Sequence, residues 1–173
     1  MKLKSSLLMI CAALTLAACT NPSRFGAGDD AGGDPFANGA GANGLGAASD
    51  PESPAYFQQA IGDRVLFQVD QSTLTPQARA TLEAQAIWLL QNADYTAVIE
   101  GHADEQGTRE YNLALGARRA DAARAYLVSQ GVQSRRLQVV SYGKERPIAI
   151  CSEESCYAEN RRAVTVLASG LSG

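Results

Sequence analysis

Histidine is almost missing from this chain: His102 is the only one in 173 residues. A lone histidine excludes the multi-histidine clusters on which many transition-metal sites depend. Long apolar runs are missing too. The longest, Leu7 to Ala18, falls short of the roughly 20 residues a helix needs to cross a bilayer. Basic blocks are also absent. Lys and Arg total 15 against 18 Asp and Glu, a net charge of -3. Without a basic patch the chain is a poor nucleic-acid binder. Only four cysteines are present, so position decides what each can do.

What is there begins at the N-terminus. Lys2 and Lys4 precede the apolar run, which reads as a secretory signal with a basic n-region and an apolar h-region. Leu16-Ala17-Ala18-Cys19 sets a cysteine directly after two small residues. That arrangement resembles the lipobox of bacterial lipoproteins. The resemblance implies that residues 1–18 are removed and that Cys19 carries acyl chains, giving contact with outer-membrane lipid. Each buried methylene contributes about 0.8 kcal/mol, so several chains anchor firmly where one alone is marginal. A plain cleaved signal with a chance cysteine is the alternative. Thr20 is not aspartate. By resemblance to enterobacterial sorting rules, this favours delivery to the outer membrane with the domain in the periplasm. Loss of Lys2 and Lys4 leaves 13 basic residues against 18 acidic ones, a net charge near -5.

Cys11 lies within the signal and leaves with it. Cys151 and Cys156 remain as an even pair in an exported chain, the setting for a disulfide. The closed loop is short, worth about 2 kcal/mol in the chain-entropy picture. Zinc is the rival, but it needs further ligands and His102 is far away in sequence.

Residues 20–54 are dominated by Gly, Ala, Asp, Asn, Ser and Pro. Such a stretch cannot bury enough surface to offset its ordering entropy. It is expected to be a flexible tether, spanning roughly 30–35 Å on average and roughly 120 Å when extended. The expected organisation is a signal at 1–18, a lipidated cysteine with its tether at 19–55, and a domain at 56–173.

Within the domain, Arg64 to Val69 is β-rich. Thr75-Pro76 supplies an N-cap and a first-turn proline. Ala78, Leu82, Ala86, Leu89 and Leu90 then recur at helical spacing up to about Asn92. Tyr95–Glu100 reads as a second strand. A second helix is expected from Thr108 to Gln130, stopping at Gly131. Leu137–Ser141 and Ala163–Leu167 read as strands three and four, with Pro147–Glu159 a loop. The order β-α-β-α-β-β predicts an α+β fold: a mixed four-stranded sheet with helices packed on one face.

Two positions stand out. Asp104 lies in the polar, glycine-bounded loop Gly101–Thr108 after strand two; its alternative role is to cap the helix that follows. Leu115, Arg119, Ala123 and Leu127 share one helical stripe. A guanidinium on that stripe needs a partner or must snorkel to water.

The run GHADEQGTREYNLALGARRADAARAYLVSQGV, then VVSYGKERP, then ENRRAV, resembles the OmpA-like C-terminal domain family. Within that family it is most similar to the peptidoglycan-associated lipoproteins of the Tol–Pal system. The resemblance covers residues 64 to about 167. It implies non-covalent binding of peptidoglycan through the diaminopimelate stem peptide, and a role in envelope integrity and in constriction at division. TolB and other Tol proteins are the implied partners. It also implies no catalysis, metal or cofactor. The family's ligand-gripping aspartate and arginine match Asp104 and Arg119. Asn112, Arg162 and Phe67-Gln68 match more loosely. Gln68 stands where the family usually has aspartate, which weakens binding if the side chain matters and changes nothing if only backbone is used. Other readings are a generic wall-anchoring lipoprotein outside the Tol system, and a wall hydrolase built on His102, Asp104 and Glu105.

Overall fold

The computed structural model describes residues 46–169. The lipobox, Cys19 and most of the glycine-rich stretch lie outside the described residues. Four strands form one sheet: β1 (Arg64–Leu66), β2 (Tyr95–His102), β3 (Leu137–Gly143) and β4 (Arg162–Ser169). Four helices accompany them: α1 (Pro54–Tyr56), α2 (Pro76–Gln91), α3 (Arg109–Ser129) and α4 (Glu154–Asn160). The spatial order is β1-β4-β2-β3. β2 and β3 are parallel, while β4 runs antiparallel to both β1 and β2. The last strand therefore sits inside the sheet, between two strands that precede it. This is the mixed four-stranded α+β arrangement expected from the sequence.

Both long helices start and stop where their end residues dictate. The Thr75 hydroxyl accepts from the Ala78 N–H, and the Thr108 hydroxyl from the Tyr111 N–H. At the end of α3, Gly131 takes a φ of +102°. The Val132 N–H then reaches the Leu127 carbonyl and the Gly131 N–H the Val128 carbonyl, a Schellman motif. At the end of α2, the Arg136 guanidinium donates to the carbonyls of Leu89, Asn92 and Tyr95.

The core lies between the sheet and the two long helices. Ala78, Leu82, Ala86 and Leu89 of α2 meet Ala97 and Ile99 of β2 and Ala120, Ala123 and Leu127 of α3. Leu90 does not join them; it is 48% exposed. Helix α3 lies very close to β2. A Cβ built on Gly101 would come 1.9 Å from the Gly116 carbonyl oxygen. Glycine at both positions lets backbone meet backbone, which fixes the height of the helix above the strand. The opposite sheet face is open, with Leu66 and Val166 exposed.

Three expectations need correction. The first strand ends at Leu66 rather than Val69, because the chain turns at Gln68–Gln71 with Asp70 at a φ of +57°. The loop 147–159 contains α4, which periodicity could not reveal in a helix that buries only Asn160. Packing also begins before residue 56. Ser53 caps α1, and the Trp88 indole donates to the Pro51 carbonyl at 2.7 Å. Residues 47–55, which contain no glycine, are thus tied to the domain.

Candidate functional site

Strand β2 runs directly into the loop that carries Asp104. The carboxylate sits in a pocket of about 280 Å³ lined by Val69, Asp70, Asp104, Gln106, Gly107, Tyr111, Asn112 and Leu115. The turn after β1 supplies Asp70, the loop after β2 supplies Asp104, and the first turns of α3 supply Tyr111 and Asn112. Lys144 donates to the Gly107 carbonyl at 2.7 Å and closes the loop from the β3 side.

Asp104 is nearly buried, and its two oxygens differ. Oδ2 takes Nη1 of Arg161 at 3.1 Å, while Oδ1 accepts only the Gln106 N–H at 3.3 Å. Arg161 spreads its remaining arms to the Phe67 carbonyl and to Glu154 of α4. Asn112 is buried and donates its amide to the Gln106 carbonyl at 2.7 Å. The Tyr111 hydroxyl donates to the Asp70 carboxylate.

Arg119 stands behind this pocket rather than in its lining. The side chain is fully buried. Nε donates to the Gln71 carbonyl at 2.8 Å, Nη1 to the His102 carbonyl at 2.8 Å and Nη2 to the Gln68 carbonyl at 3.1 Å. Its guanidinium carbon lies 5.3 Å from the centre of the Phe67 ring. Burial pushes the Arg119 pKa down to about 10, against the opposing pull of Asp104 and Asp70. The group is still a cation at neutral pH. It locks the turn after β1 onto the end of β2 and lends the pocket positive potential from beneath.

The structure therefore sorts the expected residues. Asp104 and Asn112 line one pocket, with Arg119 and Phe67 beneath it. Gln68 contributes its backbone carbonyl while its side chain points to solvent. Arg162 lies elsewhere: its guanidinium donates to the carbonyls of Asn160 and Arg146. The neighbour that reaches Asp104 is Arg161, because successive residues entering a strand face opposite sides. Sequence reasoning also missed Asp70, Tyr111 and Glu154. Asp70 lay two residues beyond the Phe67-Gln68 match; nothing local marked Glu154.

His102 does not join Asp104. It is buried, its Nε2 lies 3.6 Å from Glu100, and its ring lies 5.6 Å from that of Tyr142. Burial and the nearby charges of Arg162 and Arg146 push its pKa down to about 4, so it is neutral at pH 7. Glu105 turns toward the Asn160 amide at 3.5 Å. The Cys151 and Cys156 sulfurs are bonded, with their Cα atoms 5.8 Å apart. Among the described residues no cluster of His, Cys, Asp or Glu is arranged to hold a metal, and no helix is long and apolar enough to cross a membrane.

A sheet of this topology has known counterparts. The OmpA family model matches residues 66–161. The chain belongs to the OmpA family, and its relatives place it among the peptidoglycan-associated lipoproteins. The peptidoglycan-associated lipoprotein of Mesorhizobium japonicum is 59% identical over 127 residues, 73% of this chain and 75% of that one. Its counterpart in Agrobacterium fabrum is 48% identical over 157 residues, covering 90% of this chain and 82% of the relative. Among solved structures, the peptidoglycan-associated lipoprotein from Burkholderia pseudomallei superposes with a TM-score of 0.62 at 38% identity, covering 70% of this chain and 98% of that one. The C-terminal domain of Helicobacter pylori MotB shares the fold, with a TM-score of 0.58 at 20% identity over 63% of this chain and 86% of that one.

Proposed function

We propose that this protein is an outer-membrane lipoprotein, anchored through acylated Cys19, whose periplasmic domain grips peptidoglycan without cleaving it. In this reading residues 20–45 give the domain reach, and the stem-peptide diaminopimelate is the group held. Its free end carries an ammonium and a carboxylate. Asp104 suits the ammonium, since Oδ1 has a single, long N–H partner. Asn112 lines the same pocket, and the amide N–H it does not give to the Gln106 carbonyl suits the carboxylate, with the Arg119 charge beneath adding attraction. Family membership and the relatives' names support wall association, and TolB as a partner rests on the family resemblance. A binder rather than a wall hydrolase is supported by the separation of the three candidate catalytic groups: His102 faces Glu100 and Tyr142, Glu105 faces Asn160, and Asp104 faces Arg161.

The observation that carries this reading is the convergence of Asp104 and Asn112 on one pocket over a buried arginine. Calorimetric titration of the full-length chain in detergent with diaminopimelate tests it. Asp104→Asn is expected to weaken binding at least about tenfold, the order of one charge-assisted hydrogen bond. Unchanged affinity would remove Asp104 from the site. In a separate incubation of the same protein with sacculi, release of soluble fragments would overturn the non-catalytic reading.

A further inference from the structure

Helix α4 is held by little apolar packing. It has seven residues, buries only Asn160, and its N-cap residue Glu153 makes no side-chain capping bond. A helix this short is not stable on its own. Two devices hold it. The Cys151–Cys156 bridge ties its first half to the preceding loop. Asn160 ties its end to the same loop, accepting from the N–H groups of Ile148 and Ala149 at 2.9 and 3.2 Å and donating to the Ala149 carbonyl at 2.8 Å.

What this stapled helix presents is Glu154, whose carboxylate takes Nη2 of Arg161. The other arms of Arg161 go to Asp104 Oδ2 and the Phe67 carbonyl. Arg161 is buried, whereas the Glu154 side chain is 66% exposed. An ion pair so open to water does little for stability. Its effect is directional. A guanidinium fork left alone with a carboxylate takes both oxygens at once. With Nη2 drawn off to Glu154, Arg161 covers only Oδ2, and Oδ1 stays open to the pocket.

We infer that Glu154, held in place by the Cys151–Cys156 bridge, is a positioning residue for the wall-binding pocket: it splits the Arg161 fork and keeps half of the Asp104 carboxylate available to a ligand ammonium. This rests on the assignment of Asp104 to that pocket. Without Glu154, or with α4 frayed, Arg161 turns onto both oxygens of Asp104 and competes with the ligand.

Two measurements on the full-length chain in detergent test this. Diaminopimelate affinity should fall about fivefold or more in Glu154→Gln and in the Cys151→Ser/Cys156→Ser double variant. Combining them should add little, because both act through Arg161. Glu154→Asp should retain part of the affinity. The Arg161 Nε–Hε resonance, read by NMR without ligand, should move in the same direction in both variants. Unchanged affinity in Glu154→Gln, or an Arg161 resonance that stays in place in both variants, overturns the inference. If the wild type fails to bind diaminopimelate, the pocket assignment falls instead, and the Arg161 resonance alone decides whether the helix and the fork are coupled.

Discussion

Arg119 illustrates how a residue can serve a site without lining it. Three backbone carbonyls from two separate segments depend on its guanidinium. Arg119→Ala leaves these acceptors without a partner and opens a cavity beneath Phe67. Urea unfolding should show a loss of at least about 3 kcal/mol, so this variant reports on the fold before it reports on binding. Helical spacing placed Arg119 on the core stripe. It could not say that backbone carbonyls, brought together only by the tertiary fold, would take the whole charge. His102 gives a second prediction. Its pKa is about 4 in the fold against about 6.5 unfolded. Between those values the unfolded chain holds the extra proton, so stability rises with pH across that window and is lost as pH falls through it. From pH 7 to pH 5 the loss attributable to His102 should be about 2 kcal/mol. It is measured as the difference between wild type and His102→Gln in denaturant titrations at each pH.

Among elements, the contact of β2 with α3 sets the geometry of the pocket. Strand and helix approach at Gly101 and Gly116, so the loop bearing Asp104 and the helix bearing Asn112 and Arg119 leave from a common point. Gly101→Ala puts a methyl group 1.9 Å from the Gly116 oxygen, a backbone atom that cannot step aside alone. The helix must lift. We expect a drop in thermal midpoint of about 10 °C or more, equivalent to a few kcal/mol in a domain of this size. The long elements were legible because caps and periodicity agreed: Thr75, Pro76, Thr108 and Gly131 mark their limits to within a residue. The short ones were not. Helix α4 has almost no buried face to repeat, and its bounds are set by a disulfide and by Asn160. The side on which Arg161 or Arg162 falls depends on where β4 begins, which neither residue signals.

For the whole molecule, the edge of the domain is a matter of packing rather than composition. Proline and serine at 51–54 look like linker, yet Ser53 is buried and the Pro51 carbonyl meets Trp88. Trp88 in turn packs between Phe57 and Tyr95 with its ring tilted to both, centroids 4.9 and 5.2 Å away. Deleting residues 46–55 strips that indole of its acceptor and exposes its edge. Tryptophan fluorescence should shift to the red, and stability should fall by about 1–3 kcal/mol; an unchanged spectrum would mean that this segment takes no part in the packing of the domain. The position of β4 has a different consequence. It alone pairs with β1, and it separates β1 from β2. The last of the four strands in sequence is therefore the wedge that completes the sheet. A growing chain has no finished sheet to collapse into until that wedge arrives, so the earlier strands stay pliable during synthesis and set only once β4 is delivered.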